Sequence, residues 1–158
     1  MEISVIEKVV TTSVFAWTAW EQDLMKPAEE IIGAVGLSTM VVRPGDTSVA
    51  MGISDLPILA SSHIMHSMES ASVAALSEYL EAGETTVVEK FEITMMDSVA
   101  IGAEIRCTAR CIDVDGREIH FLCDLYDGER HIAQGVIKRK AVERVSYLAR
   151  TAAQSLLS

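Results

Sequence analysis

Hydrophobic and polar residues alternate along the last third of the chain, which is the pattern of β-strands with one buried face. From residue 103 to 111 two faces separate cleanly: Ala103, Ile105, Cys107, Ala109 and Cys111 on one, Glu104, Arg106, Thr108 and Arg110 on the other. The same alternation returns at residues 119–125, and residues 130–140 predict a third strand. Asp115-Gly116 separates the first two strands and predicts a tight hairpin turn with positive φ at both turn residues, and Asp127-Gly128 predicts another turn before the third.

Two further segments are rich in β-branched and aromatic residues. Residues 86–96 predict a strand, and Gly102 separates it from the strand that begins at 103. We therefore predict four consecutive strands in an antiparallel meander. Ser38–Val42 predicts one more strand upstream.

Between these strands lies a segment of helical character, residues 62–80. Ser61 or Ser62 is available as the N-cap and Gly83 as the C-terminal stop, which predicts a helix of about five turns. Its middle consists mostly of Ser and Ala, so other elements can approach it closely and a central position is expected. Residues 143–157 predict a closing helix, Thr12–Met25 another, and Pro27 a short one over Ala28–Ala34.

Composition places the chain among single-domain globular proteins, with 158 residues, 49% hydrophobic and 23% charged. The net charge of −10 argues against a general nucleic-acid or anionic-membrane partner, because both are bound through clustered Lys and Arg. The charge is uneven: residues 1–100 carry 4 basic and 15 acidic side chains, whereas residues 101–158 carry 9 and 8. An anionic ligand is therefore expected on the last third.

Three cysteines without a C-x-x-C pair indicate neither a disulfide framework nor a zinc site, and no metal or cofactor is predicted. No stretch reaches the ~20 apolar residues of a membrane-spanning helix. The N-terminus carries Glu2 and Glu7 rather than the basic start of a signal peptide. These features favour a reducing cytoplasm.

One charged residue stands alone in the predicted central helix. Between Asp55 and Glu78 the only formally charged side chain is Glu69. Carboxylates are rarely buried without partners, and desolvation raises a carboxyl pKa toward the range of a general base. Glu69 is therefore the leading catalytic candidate. The alternative is a structural role, in which Glu69 points out of the packing or pairs with Arg139 or another base.

Other polar residues near this helix have both functional and structural interpretations. Ser61 caps a helix or places its hydroxyl on a ligand. His63 and His66 lie three residues apart, but no third ligand follows at a suitable spacing, so a metal site is disfavoured. Lys138-Arg139-Lys140 forms either a solvated strand edge or a contact for phosphate.

The segment from Leu56 to Val87, LPILASSHIMHSMESASVAALSEYLEAGETTV, resembles the fluoroacetyl-CoA thioesterase-like branch of the hot-dog thioesterases, as do Gly102 and Gly135 to Arg139. The resemblance covers roughly residues 40–142. It implies an α+β hot-dog fold, in which a curved antiparallel sheet wraps a central helix at about residues 61–82. The domain is expected at 38–158, and residues 1–37 are expected to form an N-terminal extension of helical character that packs on it. Hot-dog sheets pair edge to edge, so a homodimer or a dimer of dimers is expected.

The family pattern also implies site residues. The family's Thr before the helix falls on Ser61, its Glu within the helix on Glu69, and its Arg in the last strand on Arg139. The family's His, seven residues before a Gly, falls on Met95, which cannot shuttle a proton. Ser61 and Glu69 are thus the expected catalytic residues. The expected substrate contacts are Ser62, His63, Met95, Asp97 and Arg139.

Three functions remain open from the sequence. The first is hydrolysis of a small or medium acyl thioester of coenzyme A or of an acyl carrier, with Glu69 as base or nucleophile and Ser61 assisting. The second is a non-catalytic hot-dog protein that binds acyl-CoA or lipid, because Met95 replaces the family's His. The third is a structural or regulatory dimer. An enoyl-CoA hydratase is disfavoured, because the paired Asp and His motif of those enzymes is not found.

Overall fold

A computed structural model describes residues 25–158. Within them the chain forms three α-helices and five strands: α1 (Ala28–Ile31), β1 (Val35–Val41), α2 (Ser61–Ala75), β2 (Glu84–Met95), β3 (Glu104–Asp115), β4 (Glu118–Asp127), β5 (Arg130–Glu143) and α3 (Arg144–Ser155). A single turn of 3-10 helix lies at Pro44–Asp46. The strands predicted from alternation and the closing helix are confirmed within a few residues.

The five strands form one antiparallel sheet in the order β1-β3-β4-β5-β2. The predicted four-stranded meander is wrong, because β2 pairs with β5 and not with β3. The connection from β2 to β3 instead passes the start of α2, where Leu59 N donates to Val99 O at 2.9 Å. Val99 is buried there, so this connection is anchored by packing as well as by backbone hydrogen bonds.

Both Asp-Gly hairpins form, but with a different turn geometry from the one predicted. Asp115 pairs with Glu118, which leaves Gly116 and Arg117 as the two loop residues. Only the glycine has positive φ, 59°, and Gly128 repeats this arrangement at the next hairpin. A glycine with positive φ at the first loop position is typical of a type II′ turn, so the aspartates end their strands and do not enter the turns.

Helix α2 lies against the concave side of the sheet and contacts β1, β3, β4 and β5. Its small residues allow this approach: a Cβ on Gly36 of β1 would overlap Ala71 O and Ala75 N of the helix. The predicted central position is confirmed. The predicted end near Gly83 is wrong, because the helix stops at Ala75. Residues 76–80 leave it to pair with the segment before α1, where Lys26 N donates to Tyr79 O.

The segment before β1 packs on the domain from Met25 onward. Helix α1 begins after Pro27 as predicted but ends at Ile31, before Gly33, whose φ is 91°. Ile31 is fully buried in the core, and β1 runs across residue 37, where the extension was expected to end. The helix predicted at Thr12–Met25 lies almost wholly outside the described residues. No helix within residues 25–158 is long and apolar enough to cross a membrane.

Candidate active site

Glu69 lies on α2, one position beyond the buried residue Met68. Its side chain is 43% exposed, so the expected desolvation of this carboxylate is wrong. Oε2 lies 3.9 Å from Nη1 of Arg139, so the pairing of Glu69 with Arg139 that was considered as a structural role is present. Within the described part of the chain, Oε1 has no hydrogen bond or ion pair. One carboxylate oxygen is therefore available to a ligand or water.

The buried member of this pair is Arg139 and not Glu69. Arg139 lies on the inner face of β5 with only 6% of its side chain exposed. Its Nε donates to Thr86 Oγ1 at 2.8 Å, and Nη2 donates to Thr86 O at 3.3 Å. Nη1 donates to Ser72 Oγ at 3.2 Å, and Ser72 Oγ donates to Glu69 O at 2.7 Å. Burial lowers the pKa of Arg139, and the nearby Glu69 opposes that effect. The site is thus an exposed carboxylate beside a buried, oriented cation.

The neighbours of Arg139 in the basic run point to the other side of the sheet. Lys138 Nζ lies 3.3 Å from Glu89 Oε2 and 3.4 Å from Glu118 Oε1. These carboxylates raise the pKa of Lys138. Lys140 pairs with Glu89 at 3.8 Å. Because Arg139 faces α2 while the two lysines face outward, the run does not form one anion-binding surface.

Ser61, Ser62 and His63 are the first three residues of α2. The predicted serine N-cap is wrong: Ala60 is the N-cap residue, because its backbone N–H is bonded to Asp46 O and fixes the helix start. Ser62 Oγ donates to Met51 Sδ, and His63 Nε2 lies 3.7 Å from Asp46 Oδ1. Eight residues separate Ser61 from Glu69, about 12 Å along the helix, so the two side chains do not meet within one chain.

Met95 and Asp97 lie at the far end of β2. Met95 pairs with Ala133, and six residues of β5 separate Ala133 from Arg139, about 20 Å along the strand. Asp97 Oδ2 accepts a hydrogen bond from Arg130 Nη1 at 2.8 Å, which holds it near the β4–β5 hairpin. One chain therefore brings Glu69 and Arg139 together but separates them from Met95, Asp97 and Ser61.

Ser72 and Thr86, which hold Arg139, were not among the residues predicted from the sequence. Ser72 had one signal, its place three residues after Glu69 on the same helix. Thr86 had none, because it reaches Arg139 only through the pairing of β2 with β5.

The buried thiols of the sheet do not compete with Glu69 as nucleophiles. Burial raises the pKa of Cys107 and of Cys123 to about 12, so these thiols stay protonated and are poor nucleophiles. No cluster of three metal-ligating side chains occurs within residues 25–158. A cavity of about 270 Å³ near Met25, Val114 and Arg117 contains none of the predicted site residues.

The comparisons with known proteins agree with this fold. The solved structures that resemble the chain include a phenylalanine-to-alanine variant of the fluoroacetyl-CoA-specific thioesterase FlK, with 23% identity, a TM-score of 0.71, and coverage of 78% of this chain and 96% of that one. A hot-dog-like protein from Thermanaerovibrio acidaminovorans has 19% identity, a TM-score of 0.73, and coverage of 80% and 95%. A thioesterase superfamily member from Thermus thermophilus has 19% identity, a TM-score of 0.72, and coverage of 78% and 92%. The predicted hot-dog fold is confirmed.

Other structures of FlK are complexes, one with fluoroacetate and CoA and one, of a threonine-to-serine variant, with acetyl-CoA. Among curated protein sequences none matches this chain. The family model described as fluoroacetyl-CoA-specific thioesterase matches residues 42–145, about two thirds of the sequence. The chain therefore belongs to the family of the fluoroacetyl-CoA-specific thioesterase FlK.

Proposed function

We propose that this protein hydrolyses the thioester of a small or medium acyl-CoA, with Glu69 as general base or nucleophile. The observation that carries the proposal is the half-exposed Glu69 carboxylate, held 3.9 Å from the buried guanidinium of Arg139. The guanidinium fixes the position of this carboxylate through Oε2, and Oε1 stays open to a water molecule or to a thioester carbonyl. Membership of a thioesterase family makes the acyl thioester the matching substrate class.

Two routes lead from this carboxylate to the same products. As a base, Glu69 Oε1 takes a proton from water while the water oxygen attacks the thioester carbonyl. As a nucleophile, Oε1 attacks the carbonyl itself, and water then hydrolyses the acyl–enzyme anhydride. In both routes the C–S bond breaks and the electron pair leaves with the CoA thiolate. The N–H groups of Ser61 and Ser62 at the start of α2, which have no backbone partner within residues 25–158, are the oxyanion donors we propose.

A second copy of the chain can bring Ser61 and Met95 of one chain close to Glu69 of the other. Strand β2 lies at the sheet edge and pairs only with β5 in the described structure. A two-fold axis through its middle places Met95 of one chain beside Glu84 of the other and makes the two α2 helices antiparallel. The Ser61 and Met95 end of one chain then approaches Glu69 and Arg139 of its partner. We therefore propose a homodimer with composite sites.

A thiol-release assay over a panel of acyl-CoAs tests the catalytic role of Glu69. Acetyl-CoA and fluoroacetyl-CoA come first, because the FlK structures include acetyl-CoA and fluoroacetate complexes. Glu69→Gln should lower kcat by about 10²- to 10⁴-fold, since it removes the acid–base group. Glu78→Gln is the matched control, because it removes an equal charge from an exposed site beyond the helix end. Equal activity in both variants would remove Glu69 from the mechanism.

The replacement of the family's His by Met95 supports a second candidate function, non-catalytic binding of an acyl thioester or lipid. Met95 offers an apolar, adaptable surface and no proton. Saturable binding that depends on the acyl chain, together with no thiol release, would favour this function. Met95→His should then confer or increase turnover, whereas an unchanged rate would contradict the positional match with the family's His.

A further inference from the structure

Helix α3 carries an apolar stripe that nothing within residues 25–158 covers. Val145, Leu148, Ala149, Ala152 and Leu156 recur at helical spacing on one face, and the helix has no buried residue. Val145 is 72% exposed and Leu148 is 60% exposed. Tyr147, Arg150, Thr151 and Gln154 occupy the opposite face. A helix with this pattern is stabilised by burying its apolar face against another surface.

The start of α3 is firmly attached to the edge strand β2. Arg144 N donates to Gly83 O at 2.9 Å, and Arg144 Nη2 donates to Glu84 O at 3.3 Å. Glu143 accepts from Val145 N and Ser146 N and thereby caps the helix. The helix therefore begins at a fixed place, beside the first residue of β2.

A second apolar patch lies at the other end of β2. Met95 and Met96 are exposed there. Within one chain the start and end of β2 are about 36 Å apart, because the strand has 12 residues. Helix α3, about 18 Å long for its 12 residues, therefore does not cover this patch in its own chain.

We infer that α3 docks on a second copy of the chain and covers the partner's Met95 and the partner's Met96. The inference rests on the dimer of the proposed function, in which the partner's Met95 lies beside Glu84 and therefore beside the start of α3. In a symmetric dimer, α3 of each chain then covers the apolar patch of the other chain, so the same contact occurs twice. The partner's Met95 also borders the composite site, so α3 forms one wall of that site.

The charge of α3 favours this occupant over a membrane surface. The helix carries only Arg144 and Arg150 as charged residues, and the chain as a whole has a net charge of −10. Helices that bind anionic membranes have many basic residues on the polar face. The two arginines of α3 are too few for binding to an anionic membrane, but they suit contact with the surface of a second, acidic chain.

Disulfide cross-linking tests the contact directly. The full chain with Leu148→Cys and Met96→Cys, under mild oxidation, should give a covalent dimer on a non-reducing gel. Thr151→Cys with Met96→Cys places the thiol on the opposite face of α3 and should give far less of it. The native cysteines are buried, which keeps the background low. A dimer in solution without preferential cross-linking of the Leu148 pair overturns the inference.

A second variant pair separates this inference from the catalytic proposal. Leu148→Asp should weaken the dimer at least about tenfold in dissociation constant, because a charge enters a buried apolar contact, whereas Thr151→Asp should leave it unchanged. Sedimentation measures the constant, and thiol release measures activity. An unaffected dimer overturns the docking of α3 and leaves Glu69 in place. A native chain that is monomeric and active overturns both dimer and docking, but not catalysis.

Discussion

Mixing two inactive variants tests whether the active site is shared between chains. One chain carries Ser61→Ala and keeps Glu69, and the other carries Glu69→Gln and keeps Ser61. The helix separates these residues by about 12 Å, so a single chain does not bring them together. In the proposed dimer, each site takes Ser61 from one chain and Glu69 from the other.

The expected recovery follows from the symmetry of the dimer. Random pairing of equal amounts gives half heterodimers, and each heterodimer contains one intact and one doubly altered site. The mixture should therefore recover about a quarter of the native activity. If both residues act within one chain, every site in the mixture lacks one of them and nothing is recovered.

The assay is thiol release from acetyl-CoA after the variants are expressed together in one cell. Each variant alone provides the baseline, and a mixture of Glu69→Gln with Glu78→Gln chains provides the control for dilution. A mixture no more active than its more active component refutes the shared site. A Ser61→Ala variant with full activity removes Ser61 from the mechanism.

Three further results are expected from the packing and the titrating groups. Gly36→Ala should lower the free energy of unfolding by about 3 kcal/mol, because the added Cβ would overlap the backbone of α2. Gly45→Ala is the control, because a Cβ there meets open space, and urea unfolding measures the free energy of unfolding of both variants. Cys107 and Cys123, with pKa values near 12, should resist alkylation at pH ~8 until the protein unfolds, which mass spectrometry measures. Burial raises the pKa of Glu84, so the folded state holds this proton more tightly than the unfolded chain does, and the free energy of unfolding should fall as pH rises above about 4.5. Glu84→Gln should remove that slope, and an unchanged slope would exclude Glu84 as its source.

Local patterns were sufficient for the strands and for the nature of the central helix. Alternation identified β3, β4 and β5 because each strand has one buried and one exposed face, so that every second residue is hydrophobic. The small residues of α2 indicated a helix that others approach closely, and Gly36 against Ala71 shows that approach. The motif around Glu69 identified the family.

Those local patterns did not predict which distant segments pair with each other. Strand β2 has the composition of a strand whichever neighbour it has, so its pairing with β5 was not predicted. Helix α2 ends at Ala75 because the next residues bond to a segment about fifty residues earlier in the chain. The Asp-Gly pairs indicated two turns correctly, but both are shifted by one residue because the aspartates stay in the ladder.

The chain by itself determined that Glu69 is the one charged residue of a slim helix in a hot-dog domain. Only the tertiary structure decided what surrounds it. Its neighbour Arg139 and that residue's partner Ser72 are 67 positions apart in the sequence, and they meet because β5 and α2 pack together. Burial of the cation rather than the carboxylate follows from this packing, because strand alternation turns Arg139 inward while the helix leaves Glu69 at its exposed edge.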